Sequence, residues 1–317
     1  MMKLQSAGIH HITAFAGNPQ DNVDFYAGIL GLRLVKKTVN FDAPHVYHLY
    51  FGNEEGSPGT VITFFPSAGS RRGQAGGGQV GITTYAVPAG ALGFWEKRLQ
   101  HYGVEAKTTE RFGEQYLQFR DNEGMLLELV ERSAGPDSKW SFNGVPADQA
   151  IKGFGGAVLH SVNPEATAAA LTEALDLKQI AADKGFARFQ AAGALGNLID
   201  LRQEKMTRGE GGAGTVHHIA WRAKDSAQHV QWQEKIAKLG YRVTDILDRQ
   251  YFHALYFREG GGILFEIATD PPGFARDEDP EALGGRLMLP EWYEPQRTEI
   301  EANLLPVAVR RIEGVER

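Results

Sequence analysis

A chain of 317 residues, 42% hydrophobic and 23% charged, has the composition of a globular enzyme and the length for two domains. A net charge of −6 without any basic run argues against a nucleic-acid partner, and no apolar stretch reaches the length of a membrane span. With no cysteine, disulfides, iron–sulfur clusters and thiol nucleophiles are excluded, so any metal must be held by histidine and carboxylate. The opening "MMKLQSAGIHHIT" carries no long apolar segment, and the expected location is the cytoplasm.

In chain order, the first predicted element is a strand in "GIHHITAFAGNP" (8–19), with Asn18 placed to cap a helix and Pro19 at its first position. The helix "QDNVDFYAGIL" stops at Gly31, a natural left-handed terminator, and strands through "YHLYF" (47–51) and "VITFFP" complete a module of about 7–66. The Gly-rich "AGSRRGQAGGGQVG" (68–81) lacks the Lys-Ser or Lys-Thr of a phosphate loop and reads as a connector. A second module runs from "QVGITTYAVP" through "GALGFWEKRLQHYG" to "YLQFRDNEGMLLELV" (116–130). The linker "RSAGPDSKWSFNGVPADQ" (132–149) then separates two predicted domains, 1–135 and 150–317. Module three has "GGAVLHSVNP" leading into "EATAAALTEALDL" (155–177). Module four, about 215–269, opens on "TVHHIAWRAKD", with Asp225 as cap and Gly240 as terminator, and its "HALYF" (253–257) matches "YHLYF". The segment from Pro271 onward lies outside the repeat and is expected to pack as an extension. The same unit of strand, helix and three strands is thus written four times, an α+β chain of four βαβββ modules.

Aligning the modules on the helix start, and on a glycine four residues before the last-strand position, places His11, Val80, Gly156 and His218 in register on the first strands. Thr63, Glu128, Asp200 and Glu266 fall in register on the last strands. If modules one and four pair about a pseudo-twofold axis, His11, His218 and Glu266 come together beside Thr63. Two imidazoles and one carboxylate with other positions open form the facial arrangement suited to non-haem Fe(II). Modules two and three would bring together Val80, Glu128, Gly156 and Asp200, which cannot make such a site; their acids read as relics of repetition or surface acids. A rival triad of His160, His218 and Glu266 is disfavoured, because His160 lies four residues, more than about ten ångströms, along the strand from Gly156. His48 and His253 read as residues lining the cleft.

The stretches "GIHHITAFAGNPQDNVDFYAGILGLRLVKKTVNFD", "YHLYFGNEEGSPGTVITFFP", "VHHIAWRAKD", "DRQYFHALYFREGGGILFEIATDPPGF" and "LPEWYEPQRTEIEANL" resemble the ring-cleaving dioxygenases of the vicinal oxygen chelate superfamily. The nearest likeness is to the branch that opens para-hydroquinones. The resemblance implies four modules pairing into two mixed-sheet half-barrels, and Fe(II), less often Mn(II), bound by His11, His218 and Glu266. It implies a small aromatic diol and O2 as substrates, yielding a ring-opened acid, and outer roles for His10, Thr13, His217, Arg249 and Tyr256. Strand alternation turns His10 and His217 away from the face of their neighbours. They therefore read as groups orienting the ligands from beneath or, with His48, as candidates for proton transfer, with packing between sheet and helix as the other reading. Arg249 reads as a fixed positive charge for a phenolate or oxygen, or as the salt-bridge partner of Asp245 or Asp248. Two other functions stay open: a glyoxalase-like isomerase, which recruits a second acid where this chain has Thr63, and a non-catalytic small-molecule binder, for which the triad would be idle. A twofold homo-oligomer is a further expectation.

Overall fold

The computed structural model of the protein describes residues 4–314. Module one supplies β1 (Ile9–Ala16), β2 (Arg33–Asn40), β3 (Ala43–Gly52) and β4 (Val61–Pro66), and module two supplies β5 (Gln79–Val87), β6 (Ala106–Arg111), β7 (Glu114–Arg120) and β8 (Leu126–Glu131). Module three supplies β9 (Gly153–His160), β10 (Lys178–Asp183), β11 (Phe186–Gln190) and β12 (Leu198–Arg202). Module four supplies β13 (Thr215–Ala223), β14 (Leu247–Asp248), β15 (Phe252–Arg258) and β16 (Leu264–Pro272).

Local chemistry accounts for the helix starts. The Asn18 side chain accepts from the amides of Gln20 and Asp21 with Pro19 at the first turn, and the Asp225 side chain accepts from the amide of Gln228. Gly31 and Gly240 take the left-handed conformation that ends their helices, at φ +69° and +87°. The helices Leu92–His101 and Ser226–Lys238 bury Trp95 with Leu99 and Trp232 with Ile236, pairs four residues apart on one face. The expected helix of module one is instead a short α-helix, Pro19–Val23, continued by a π-helical turn, Asp24–Ile29. Module three repeats this with Pro164–Ala169 and Ala170–Ala174. In both, the wide turn brings consecutive residues, Phe25 to Gly28 and Ala170 with Leu171, into the core.

The strands form two eight-stranded mixed sheets, ordered β14-β15-β16-β13-β1-β4-β3-β2 and β10-β11-β12-β9-β5-β8-β7-β6. At the centre of each, the first strands of two modules run antiparallel, β1 with β13 and β5 with β9, and each pairs in parallel with the last strand of its own module. One half-barrel therefore joins modules one and four, the other modules two and three. Each takes one module from residues 1–135 and one from 150–317. Among the described residues no helix is long and apolar enough to cross a membrane.

The parallel register corrects one sequence alignment. It sets Thr13 opposite Thr63, Thr84 opposite Glu128, Val158 opposite Asp200 and Ala220 opposite Glu266. Two residues earlier on each first strand stand His11, Ile82, Gly156 and His218, so the position belongs to Ile82 and not to Val80. The alignment slips because Pro88, which the spacing takes as a helix start, opens a turn instead, and the helix of module two begins only at Leu92. At Gly156 a Cβ would lie 2.1 Å from the carbonyl oxygen of Leu198, so this position admits no side chain, histidine included.

Glu128 and Asp200 are not surface acids: both are buried, at 0% and 4% exposure. Arg111 bridges them, with Nη2 2.9 Å from Glu128 and Nε 2.6 Å from Asp200, while Nε of Arg188 lies 2.7 Å from Asp200. In the second half-barrel, guanidinium groups thus neutralise the acids that stand in register with Thr63 and Glu266.

The segment after β16 wraps module one. Lys36, wholly buried on β2, reaches Asp277 at 2.6 Å and Glu278 at 2.5 Å, and the amide of Met288 donates to the carbonyl of Lys37.

Candidate metal centre

Three adjacent strands, β16, β13 and β1, each aim one side chain into the cleft of the first half-barrel. Glu266 stands opposite Ala220, two residues from His218 and so on the same face, and His11 comes from the antiparallel neighbour. Nε2 of His11 lies 3.3 Å from Nε2 of His218 and 3.4 Å from Oε2 of Glu266, and His218 Nε2 lies 2.8 Å from the same oxygen. All three residues are buried, and among the described residues they form a group able to hold a metal ion. Two donors at right angles, each about 2.1 Å from a shared cation, lie about 3 Å apart, which fits these separations. A second observation agrees. Both oxygens of Glu266 are buried without a well-formed hydrogen bond among the described residues, a costly state for a carboxylate unless a cation faces it. Burial alone would raise the acidity constant of Glu266, but His11 and His218 hold it well below the usual carboxylate range.

The neighbouring histidines contact the far nitrogens of His11 and His218. Nδ1 of His10 lies 2.9 Å from Nδ1 of His11, and Nδ1 of His217 lies 2.8 Å from Nδ1 of His218. Each pair shares one proton; placed on the His11 or His218 side, it leaves that residue's Nε2 lone pair directed into the cleft. Burial, then the adjacent imidazole, holds both His10 and His217 below the usual histidine range, so they stay neutral and can accept.

Thr13 and Thr63 face each other with hydroxyl oxygens 2.8 Å apart, and the contact continues to Nε2 of His48 at 2.8 Å and from His48 Nδ1 to the Tyr50 hydroxyl at 2.7 Å. Both nitrogens of His48 are thus engaged. Tyr256 stands opposite Glu266, and burial, then that carboxylate, pushes its phenol well above its usual value, so it stays protonated. Arg249 corrects a sequence expectation. Its partner is neither Asp245 nor Asp248 but Asp42, at 3.0 Å, from the β2–β3 turn of module one. The guanidinium also sits 5.7 Å from the centre of the Tyr256 ring.

Of these groups, His11, His218, His217, His48, Arg249 and Tyr256 line a cavity of about 210 Å³ that also takes in Phe41, Phe65 and Phe252, residues that sequence reasoning missed because isolated aromatics carry no pattern. Of the sequence candidates for the cleft, His48 lines this cavity and His253 does not. His160 lies on β9 in the other half-barrel, beside Gln79, and takes no part in the cluster.

Comparison with known proteins places this geometry. The Glyoxalase/Bleomycin resistance protein/Dioxygenase superfamily pattern matches residues 8–129 and 154–274, two spans that between them contain all three converging side chains. The chain belongs to that superfamily. Within it, the chain is 57% identical over 312 residues, 98% of its length and 100% of the other, to a Bacillus subtilis (strain 168) protein named "Putative ring-cleaving dioxygenase MhqO". It is 36% identical over 314 residues, 95% of its length and 97% of the other, to the "Chlorohydroquinone/hydroquinone 1,2-dioxygenase" of Sphingobium indicum. It thus sits among the ring-cleaving dioxygenases of the superfamily. A solved Bacillus subtilis structure titled "putative dioxygenase" superposes with a TM-score of 0.97 at 57% identity, covering 98% of this chain and 100% of that one. Glyoxalase I from Zea mays shares the fold alone, with a TM-score of 0.62 at 13% identity over 83% of this chain and 92% of that one.

Proposed function

We propose that the protein is a non-haem Fe(II) dioxygenase that opens the ring of a hydroquinone-type aromatic and incorporates both atoms of O2. His11, His218 and Glu266 would hold the metal, with Mn(II) the other ion this donor set accepts. One observation carries the reading: the three donors converge beside an aromatic-walled cavity that His11 and His218 line, with Thr63 where a closed site would place a fourth donor. The cavity of about 210 Å³ suits a single ring, since a cavity of about 150 Å³ accepts benzene. The name of the Sphingobium indicum relative supports a dihydroxylated ring as substrate.

When bound, the metal would lower the acidity constant of a coordinated hydroxyl and couple the electron-rich ring to O2. The chain's own residues supply the rest. Arg249, whose charge is fixed, stabilises a phenolate oxygen at the cavity mouth, and protonated Tyr256 donates a hydrogen bond beside it. His10 and His217 hold the ligand rings in the productive tautomer. Thr63 is too short to occupy a metal position and instead braces His48. Phe41 and Phe65 exclude water from the ring.

The test is anaerobic purification, metal quantification and oxygen-electrode screening of dihydroxybenzenes. Uptake with a hydroquinone is expected, and none with a thiohemiacetal. In Arg249→Ala, kcat/KM should fall by about a hundredfold with metal content unchanged, as for removal of an electrostatic stabiliser; loss of metal would show that Arg249 has another role. Thr63→Glu supplies the missing fourth donor. Metal retention should persist while oxygen uptake drops by at least about tenfold, because the position left open for reactants is filled; an undiminished rate would contradict the open-site reading.

A further inference from the structure

A second cavity, of about 270 Å³, shares the Phe252 side chain with the first. Pro58, Phe252, Phe274 and Leu283 give it an apolar side, Glu55, Ser57 and Asp270 add polar groups, and His10, the residue paired to His11, is part of its lining. The Phe252 ring packs 4.9 Å from the His11 ring and 5.3 Å from the His10 ring, so a single side chain separates this cavity from the donor triad. Its outer wall is the segment after β16, fastened where Lys36 binds Asp277 and Glu278 and where the Tyr251 hydroxyl donates to Asp277. The proposed catalysis does not use this cavity.

We infer that it is a reservoir and entry route through which O2 reaches the metal site, a claim that rests on the dioxygenase reading. The front cavity is sized for one ring, and a ring seated there stands between its mouth and the triad. The second reactant then needs another way in. O2 is small and apolar and partitions into apolar voids that a diol, with hydroxyls to satisfy, does not favour. A rotation of Phe252, which packs on both His10 and His11, would join the two spaces beside His11. The extension beyond the repeat acquires a function in this account: it walls the oxygen reservoir.

Xenon is the probe, because it occupies apolar cavities irrespective of turnover. Crystals of the metal-loaded protein under xenon should show the gas between Phe252 and Leu283. Leu283→Trp and, on the exposed rim, Ala275→Trp fill the space from residues outside the metal site. Either should remove the xenon and raise KM for O2 on the order of fivefold, with KM for hydroquinone, kcat at saturating O2 and metal content unchanged. Ala275 is exposed, so its variant keeps the test alive if Leu283→Trp does not fold. Absence of xenon from the wild-type cavity overturns the proposal, as does an unchanged KM for O2 in a filled variant. Absence of any oxygen uptake by the wild type overturns the dioxygenase reading and this proposal with it.

Discussion

His11→Ala, or Glu266→Gln, is expected to strip the protein of metal and abolish hydroquinone-dependent oxygen uptake. The first removes one of three donors. The second keeps the shape of the side chain but deletes the only carboxylate among the three donors. With the ligands 2.8 to 3.4 Å apart, nothing else among the described residues stands ready to replace either one. The fold should survive both changes, because the triad projects into a cleft and the sheets are held by their ladders and by the tryptophan-centred core. Two measurements check this: metal content after anaerobic purification, and melting temperature with and without added Fe(II) or Mn(II). Wild type should gain stability from the metal by mass action, whereas neither variant should respond. A variant that retains metal and full activity would defeat the assignment of the site.

Arg111→Ala should have the opposite profile, with large loss of stability and little loss of metal. Arg111 lies between Glu128 and Asp200 in the second half-barrel, and removing it leaves two buried carboxylates of which only Asp200 keeps a cationic partner, Arg188, while Glu128 keeps only neutral donors, the Thr84 hydroxyl and the Gln118 amide. Breaking one side of a buried ion cluster costs about 3–5 kcal/mol, mostly the penalty of the stranded charge. For a chain of this size that corresponds to a fall of roughly 6–15 °C in melting temperature. The double variant Arg111→Leu with Glu128→Leu should recover much of the loss, since it removes the stranded carboxylate with its partner. Thermal unfolding and metal quantification of the same samples separate this role from that of the triad. A melting temperature unchanged in Arg111→Ala would show that solvent reaches the cluster and screens it.

The contrast between the two half-barrels explains why one set of repeats builds a site and the other does not. Both begin from the same register, in which a last-strand residue faces a first-strand residue. In modules one and four the first strands carry His11 and His218; in modules two and three they carry Ile82 and Gly156, and the carboxylates are neutralised internally by arginine.

The sequence by itself determined the fourfold module, the pairing of the first with the fourth, the capped helix starts at Asn18 and Asp225, and the candidate ligands His11, His218 and Glu266. These are legible because capping, strand alternation and repetition are local properties, carried by residues within a few positions of one another or by copies of one pattern. Only the tertiary structure decided that Arg249 meets Asp42, that Glu128 and Asp200 are buried against Arg111 and Arg188, that Ile82 takes the place assigned to Val80, and that Phe252 divides two cavities. Each of these depends on which side chains come together when separate strands curl into one sheet, and a charge or a ring far away in the chain leaves no periodic trace of its partner.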